Sequence, residues 1–135
     1  MMALQQSVAV RNAGLDAKET AIGTSPVLKI RTGAQPANCA AADSGTVLVS
    51  CTLPADWRAG ASGGTKAKAG TWEGTASAAG TAGHFRIYAS DGTTCHEQGS
   101  VTAAGGGGDM EVDNVVFAIN QAFSVTGYTT TAGNA

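Results

Sequence analysis

Apolar and polar residues alternate along much of this chain, most regularly between residues 80 and 101. Phe85 and Ile87 alternate with His84, Arg86 and Tyr88. A period of two residues is typical of a β-strand with one face in the core and one face in water. We therefore predict a half-buried strand here.

The residues that follow predict that this strand is the first half of a β-hairpin. Residues 90–93 read Ser-Asp-Gly-Thr, in which Asp can bond its own backbone and Gly accepts a positive φ. Residues 94–101 then return as the second strand. Because a hairpin cannot bury its apolar face alone, the remaining chain must supply further strands.

Short apolar runs separated by Gly, Pro and Asp predict those strands. They cover residues 27–32, 46–53, 71–78, 110–119 (with a bulge near 113–114) and 123–131. With the hairpin this makes about seven strands, a number and spacing typical of sandwiches. We predict a mainly β fold, an antiparallel β-sandwich or jelly roll, with one N-terminal α-helix.

That helix is predicted over residues 7–22. Ser7 is a suitable N-cap, and Gly23 stands where a helix commonly ends. At ~100° per residue the apolar positions closest to one line are Leu4, Val8, Leu15 and Ile22. The stripe is narrow, so the helix needs the sheet or a neighbouring subunit to hold it. We divide the chain into an N-terminal helical arm, residues 1–25, and a β-sandwich domain, residues 26–135.

Composition narrows the functional classes. Only 13% of the 135 residues are charged and the net charge is −2, which provides no basic surface for nucleic acid or anionic lipid. No apolar run approaches the ~18 residues of a membrane span, and the N-terminus lacks the pattern of a signal peptide. We expect no nucleic-acid or membrane partner.

The chain contains three cysteines, Cys39, Cys51 and Cys95, with no Cys-x-x-Cys spacing. An odd number in this pattern is not a disulfide framework, although one pair can still bridge. We expect free thiols and folding in a reducing cytoplasm, and we leave open whether any two of them pair.

Candidate catalytic and metal-binding groups are few. Cys95 and His96 are adjacent, so they point to opposite faces of a strand and are poorly placed to share an ion, even with His84 on the partner strand. Cys95, His84 and Glu97 are the residue types of a nucleophile, a base and an acid. No protease signature surrounds them, so we assign them no catalytic role.

Three acids also alternate along one strand face, Asp109, Glu111 and Asp113. They are candidate Ca²⁺ ligands along one edge of the sheet, but their spacing does not follow the EF-hand pattern. We therefore expect no cofactor, no metal and no enzymatic activity.

Residues 55–70 contain the other candidate contacts. Trp57 either folds over a sheet edge or is an exposed aromatic anchor for a partner. In an extended segment the side chains of Lys66 and Lys68 lie on the same side. They are either solvated or in contact with an acidic neighbour in an assembly. The predicted partner-binding residues are Leu4, Val8, Leu15, Ile22, Trp57, Lys66 and Lys68.

Several segments resemble small proteins encoded among the structural genes of tailed bacteriophages and prophages. They include RNAGLDAKETAIGTSPVLKIRTG, PANCAAADSGTVL and the ending VTGYTTTAGNA. The resemblance implies a non-enzymatic virion protein, in particular a capsid decoration (cement) protein. Such a protein binds and stabilises the major capsid protein lattice as a homo-oligomer, for example a trimer. It is made in the host cytoplasm and lies on the capsid surface of the virion.

Two alternatives remain open. The first is a structural protein of the tail or of the head–tail connector. The second is a carbohydrate-binding β-sandwich module, which requires Trp57, Trp72 or Tyr88 to be exposed in a flat row.

Overall fold

The structure is a computed structural model that describes residues 3–135. Over this range it contains one helix and nine strands, so the predicted mainly β fold with one helix is confirmed. The elements are α1 (Val8–Ile22), β1 (Val27–Thr32), β2 (Val47–Thr52), β3 (Thr65–Ala67), β4 (Glu73–Thr75), β5 (Gly80–Tyr88), β6 (Cys95–Ala103), β7 (Met110–Val112), β8 (Val116–Phe117) and β9 (Ala122–Thr131).

The strands form one curled sheet. Its order is β2-β1-β5-β6-β7-β9-β3, with β4 also paired to β9 and β8 paired to β5. The pairings are antiparallel except for the parallel pair β6–β7. The backbone N–H of Ser77 donates to Leu48 O over 2.8 Å, which brings the chain after β4 against β2. The finer arrangement as a sandwich or jelly roll stays a prediction.

The central hairpin forms as the alternation predicts. In β5 and β6, Arg86 lies opposite Gln98, and the connecting turn is closed by the Ala89 N–H, which donates to Thr94 O over 2.9 Å. The Asp91 carboxylate accepts from the backbone N–H of Thr94 over 3.0 Å. These bonds lower the pKa of Asp91, which stays ionised and keeps the turn closed.

The prediction that the first hairpin strand is half-buried is wrong. His84, Arg86 and Tyr88, which should face water, are all buried. The loop between β1 and β2, residues 33–46, lies over them. Gly83 shows how close this cover is, because a Cβ there would meet Gly33 O at 2.1 Å. We call this covered side of the sheet the outer face.

Aromatic rings fill the core on the inner side. Trp57 and Trp72 have ring centroids 5.8 Å apart, Trp72 and Tyr128 5.6 Å, and Phe85 and Tyr128 5.4 Å. Each indole donates to a backbone carbonyl, as buried Trp usually does; Trp57 Nε1, for example, is 3.0 Å from Gly23 O. This chain of rings supplies the core volume in a sequence that is only 5% aromatic.

Two other segments differ from the prediction. The single strand expected over residues 110–119 is two short strands, β7 and β8, separated by residues 113–115. Asn114 Oδ1 accepts from the Val116 N–H over 3.0 Å, which turns the chain out of the β7 direction. Residues 55–70, for which no strand was predicted, contain β3, which pairs with β9 at the end of the strand order.

The helix agrees with the sequence pattern to within one residue. Ser7 Oγ accepts from the Val10 N–H over 3.2 Å, and Gly23 ends the helix at φ 95°. Leu15 and Ile22 are its buried residues. The helix therefore packs on the β-domain through its second half.

Candidate functional site

The large apolar side chains that remain exposed within residues 3–135 fall into two groups. We call Leu4, Val8 and Val10 the N-terminal apolar surface. We call Val116 and Ile119, in and just after β8, the β8 apolar surface. Exposed apolar groups are candidates for contact with another protein where they form a contiguous patch.

The N-terminal apolar surface is exposed because the rest of the described chain does not cover the first turn of the helix. Val8 and Leu15 are seven residues apart and lie on one line of the helix. Leu15 is 1% exposed, whereas Val8 is 47% exposed. Val10, on another side of the first turn, is exposed as well. The first turn therefore presents apolar groups in several directions, and Leu4, 70% exposed, extends them.

This surface is tied to the body of the protein. The Gln6 N–H donates to Asn134 O over 2.6 Å, so the segment before the helix pairs with the C-terminal residues. Arg11 Nη1 donates to Ala132 O over 3.4 Å from the same side. The N-terminal apolar surface is thus positioned relative to the end of β9.

Lys66 is not available to a partner, contrary to our expectation. Its ammonium is 2.6 Å from Asp16 Oδ1 and 2.8 Å from Glu19 Oε1, and its side chain is buried. Burial by itself would lower the pKa of Lys66, but the hydrogen bonds to the two carboxylates raise it. The acidic neighbour is the chain's own helix. Lys68 is only half-buried and donates to Gly70 O over 3.1 Å.

The aromatic candidates are also internal. Trp57, Trp72 and Tyr88 are each at most 1% exposed. The sequence left two alternatives for Trp57. In the structure its ring is folded into the protein, so the alternative of an exposed anchor is wrong. The flat aromatic row that a carbohydrate-binding module requires is absent from residues 3–135. Leu15 and Ile22 are likewise core residues.

A polar network that the sequence did not reveal lies between the sheet and the covering loop. Asp43 Oδ1 accepts from Arg86 Nη1 over 2.7 Å and from the Tyr88 hydroxyl over 2.6 Å, and Asp43 Oδ2 is 3.1 Å from Arg31 Nη2. Burial tends to raise the pKa of Asp43, but the bonds from Tyr88 and Arg86 lower it overall. One loop carboxylate thus forms ion pairs with two buried guanidinium groups.

A polar depression of about 620 Å³ lies beside β6 and β9. Tyr128 donates its hydroxyl to Glu97 Oε1 over 3.0 Å at one side of it. Burial, with the adjacent Glu97 carboxylate, raises the pKa of Tyr128. Asp109 accepts from the Ser100 N–H over 2.9 Å. These groups are satisfied by one another, which is the arrangement of a structural site.

The residues considered for catalysis do not converge. His84 lies opposite Ser100 and Cys95 opposite Tyr88, so the two are separated along the hairpin. His84 Nδ1 is 2.9 Å from Gly33 O, and His96 is exposed. His84 and His96 are not opposed across the hairpin, because the register places Ser100 opposite His84.

The three alternating acids are engaged separately. Glu111 Oε2 accepts from the Gly107 N–H over 3.2 Å, and Asp113 Oδ1 accepts from the Ser124 N–H over 3.3 Å. Over residues 3–135 no group of three or more His, Cys, Asp or Glu side chains is arranged to hold a metal ion.

The length and composition of the helix decide whether it could cross a membrane. The helix found between residues 3 and 135 is 15 residues long, and it is neither long nor apolar enough to cross a bilayer.

Comparison of this chain with known proteins found no match. No protein-family model, no curated protein and no solved structure matches this chain. The function proposed below therefore rests on the chain itself.

Proposed function

We propose that this chain is a non-enzymatic structural protein of a tailed-bacteriophage virion, in particular a capsid decoration protein. In this proposal it binds and stabilises the major capsid protein lattice from the capsid surface. It assembles as a homo-oligomer, such as a trimer, after synthesis in the host cytoplasm. The resemblance of several segments to phage structural proteins suggests the setting.

The observation that carries the proposal is the N-terminal apolar surface. Leu4, Val8 and Val10 expose apolar area on a segment that the C-terminal residues hold in place. Apolar area on a positioned segment can bind without a large ordering cost. A protein present in many copies on a lattice also needs only a modest contact per copy.

The β8 apolar surface suggests how copies contact one another. In a cyclic homo-oligomer such as a trimer, the β8 apolar surface of one copy packs against a different surface of the next copy. In the decorated shell, one surface faces the capsid protein and the other faces a neighbouring copy. We assign the capsid contact to the N-terminal apolar surface.

We further propose that the curled sheet is a β-sandwich of the jelly-roll kind. The inner aromatic core and the approach of the chain after β4 to β2 support this description.

The test uses substitutions rather than deletion of the first 22 residues. Deletion would remove Asp16 and Glu19 and leave Lys66 buried without a partner. Instead, Leu4→Asp, Val8→Asp and Val10→Asp are combined in one variant. The matched control combines Val116→Asp with Ile119→Asp. Both variants are mixed with empty heads that lack the chain, and bound protein is measured by co-sedimentation.

We expect the N-terminal variant to lose at least about tenfold in apparent affinity, since burying even two of these groups contributes more than ~1.4 kcal/mol. Its circular dichroism should match the wild type, because the three residues are exposed. The control should still bind heads as a monomer. Full decoration by the N-terminal variant would show that the contact is elsewhere.

The tail or connector assignment remains the second candidate. Heads and tails of the same particles are separated, and copies of the chain are counted in each. Many copies on heads support decoration, whereas few copies confined to tails or connectors support the alternative.

A further inference from the structure

Two of the three cysteines face the same buried site on the outer face. Cys95 opens β6 and lies opposite Tyr88 of β5 in the antiparallel register. Side chains of directly opposed residues project from the same side of a sheet. Because the side chain of Tyr88 lies under the loop of residues 33–46, that of Cys95 does too. Cys39 belongs to this loop.

The backbone on both sides of Cys39 is fixed to the hairpin. Arg86 Nη2 donates to Asn38 O over 2.9 Å and to Ala41 O over 3.2 Å. Arg86 is two residues before Tyr88, the partner of Cys95. One side chain thus holds the short segment that contains Cys39 onto the sheet beside Cys95.

A second bond fixes the loop from the other hairpin strand. Gln98 Nε2, on β6, donates to Pro36 O over 2.7 Å, three residues before Cys39. The loop is therefore attached to both β5 and β6 around the position of Cys39. This leaves little freedom for the Cys39 thiol to move away from β6.

The loop attachments and the strand register place the Cys39 and Cys95 thiols on the same side of the hairpin. Burial, and then the Cys39 thiol, raises the pKa of Cys95 to about 12, and the Cys95 thiol donates to Glu97 O over 3.5 Å. Both thiols are free and half-buried, so a small reagent can reach them. Cys51 differs, because it is buried in the core and burial raises its pKa to about 11.

We propose that Cys39 and Cys95 are a redox pair that closes into an intramolecular disulfide, binding the covering loop to the hairpin. The oxidant is a low-molecular-weight disulfide of the glutathione class. One cysteine thiolate attacks a sulfur of the oxidant, breaks its S–S bond and expels one glutathione thiolate. The second cysteine thiolate attacks the resulting mixed disulfide at the protein sulfur and expels the other. The two cysteine protons end on the two glutathiones, so two protein thiols are oxidised and one disulfide is reduced.

This pair gives the chain two states according to the compartment. In a reducing cytoplasm the thiols stay free, and in an oxidising exterior the bond forms and persists. The bond joins two positions more than fifty residues apart, so it restricts the unfolded chain. The inference does not depend on the proposed function, because it concerns the isolated chain.

The test uses the full-length chain, reduced and then incubated with glutathione disulfide at about pH 8.5 until equilibrium, because the raised pKa of Cys95 slows the exchange without preventing it. Free thiols are counted by alkylation, and linked peptides are mapped by mass spectrometry. We expect the wild type and Cys51→Ser to lose two thiols, with a peptide linking Cys39 to Cys95. We also expect the oxidised chain to melt roughly 5–15 °C higher than the reduced chain.

Cys39→Ser and Cys95→Ser are the matched negative variants. Each should retain the reduced melting temperature and yield no internal cross-link. The proposal is overturned by a wild type that stays reduced at equilibrium, that stops at stable glutathione adducts, or that forms its bond through Cys51 or between chains.

Discussion

Asp43→Asn tests the network that holds the loop of residues 33–46 on the outer face. The substitution keeps the size of the side chain and one acceptor oxygen but removes the negative charge that faces Arg31 and Arg86. Both guanidinium groups are less than 10% exposed, so water replaces the lost charge poorly. We expect a folded protein of lower stability.

The magnitude follows from the contacts. A hydrogen bond to a charged group contributes ~1.5–3 kcal/mol, and Asp43 accepts three bonds or ion pairs. The Asp43 side chain is 41% exposed, which calls for a discount for solvent screening, and Asn still accepts one bond. We expect a loss of about 2 kcal/mol at pH 7, equivalent to about 7 °C in Tm for a chain of this length.

The pH dependence separates the charge from other effects of the substitution. The pKa of Asp43 is lowered in the folded protein, so its contribution is present above the unfolded value of about 3.9 and is lost as the pH falls through the folded value. The difference between wild type and Asp43→Asn should therefore be largest at pH 7 and shrink below about pH 4.

The assay is urea unfolding followed by Trp fluorescence, at several pH values. Asp56→Asn is the matched control, because Asp56 is exposed and makes no hydrogen bond or ion pair within the part of the chain that the structure describes. It should change stability by less than about 0.5 kcal/mol. An Asp43→Asn protein as stable as wild type at pH 7, or a difference that does not vary with pH, would refute the role given to the charge.

The remaining predictions concern the helix contact and two glycines. Lys66→Met should lower Tm less than the double variant Asp16→Asn with Glu19→Gln, because only the latter leaves a buried ammonium without a counter-charge; thermal melts decide the order. Gly83→Ala should cost about 2 kcal/mol in urea unfolding, since its Cβ would meet the Gly33 backbone. Gly14→Ala, which meets nothing within 4 Å, should instead stabilise the chain by roughly 0.5–1 kcal/mol, and equal effects of the two glycine changes would contradict the packing.

Local features of the fold were predictable from the sequence. The helix and the central hairpin are encoded by short-range signals, such as the Ser7 cap, the Gly23 terminus and the turn around Asp91. Each of these signals acts within a few residues, so neighbouring residues in the sequence suffice to find it.

Features that depend on distant residues were not predictable in the same way. The burial of His84 and Arg86 results from a loop about fifty residues earlier in the chain, whereas the alternation of β5 alone predicts an exposed face. The role of Asp43 depends on the same long-range contact between the loop and the sheet. The available signal for this network was the presence of Arg31 and Arg86 in two strands and of Asp43 in a loop. It indicates an ion-pair network only when β1 and β5 are known to pair.

The candidate site was predicted in part. The apolar stripe included Leu4 and Val8, which are exposed, together with Leu15 and Ile22, which are buried. Periodicity identifies a helix face but does not show where the sheet beneath it ends. Val10 was missed because it lies off the stripe, and the β8 apolar surface was missed because residues 110–119 read as one strand.

A cryo-EM reconstruction of particle heads that carry the chain tests the central proposal most directly. We predict regularly repeated density on the outside of the shell that fits the β-domain, with the segment of residues 4–10 in contact with the major capsid protein. Heads without such density, in particles whose tails contain the chain, would contradict the proposal.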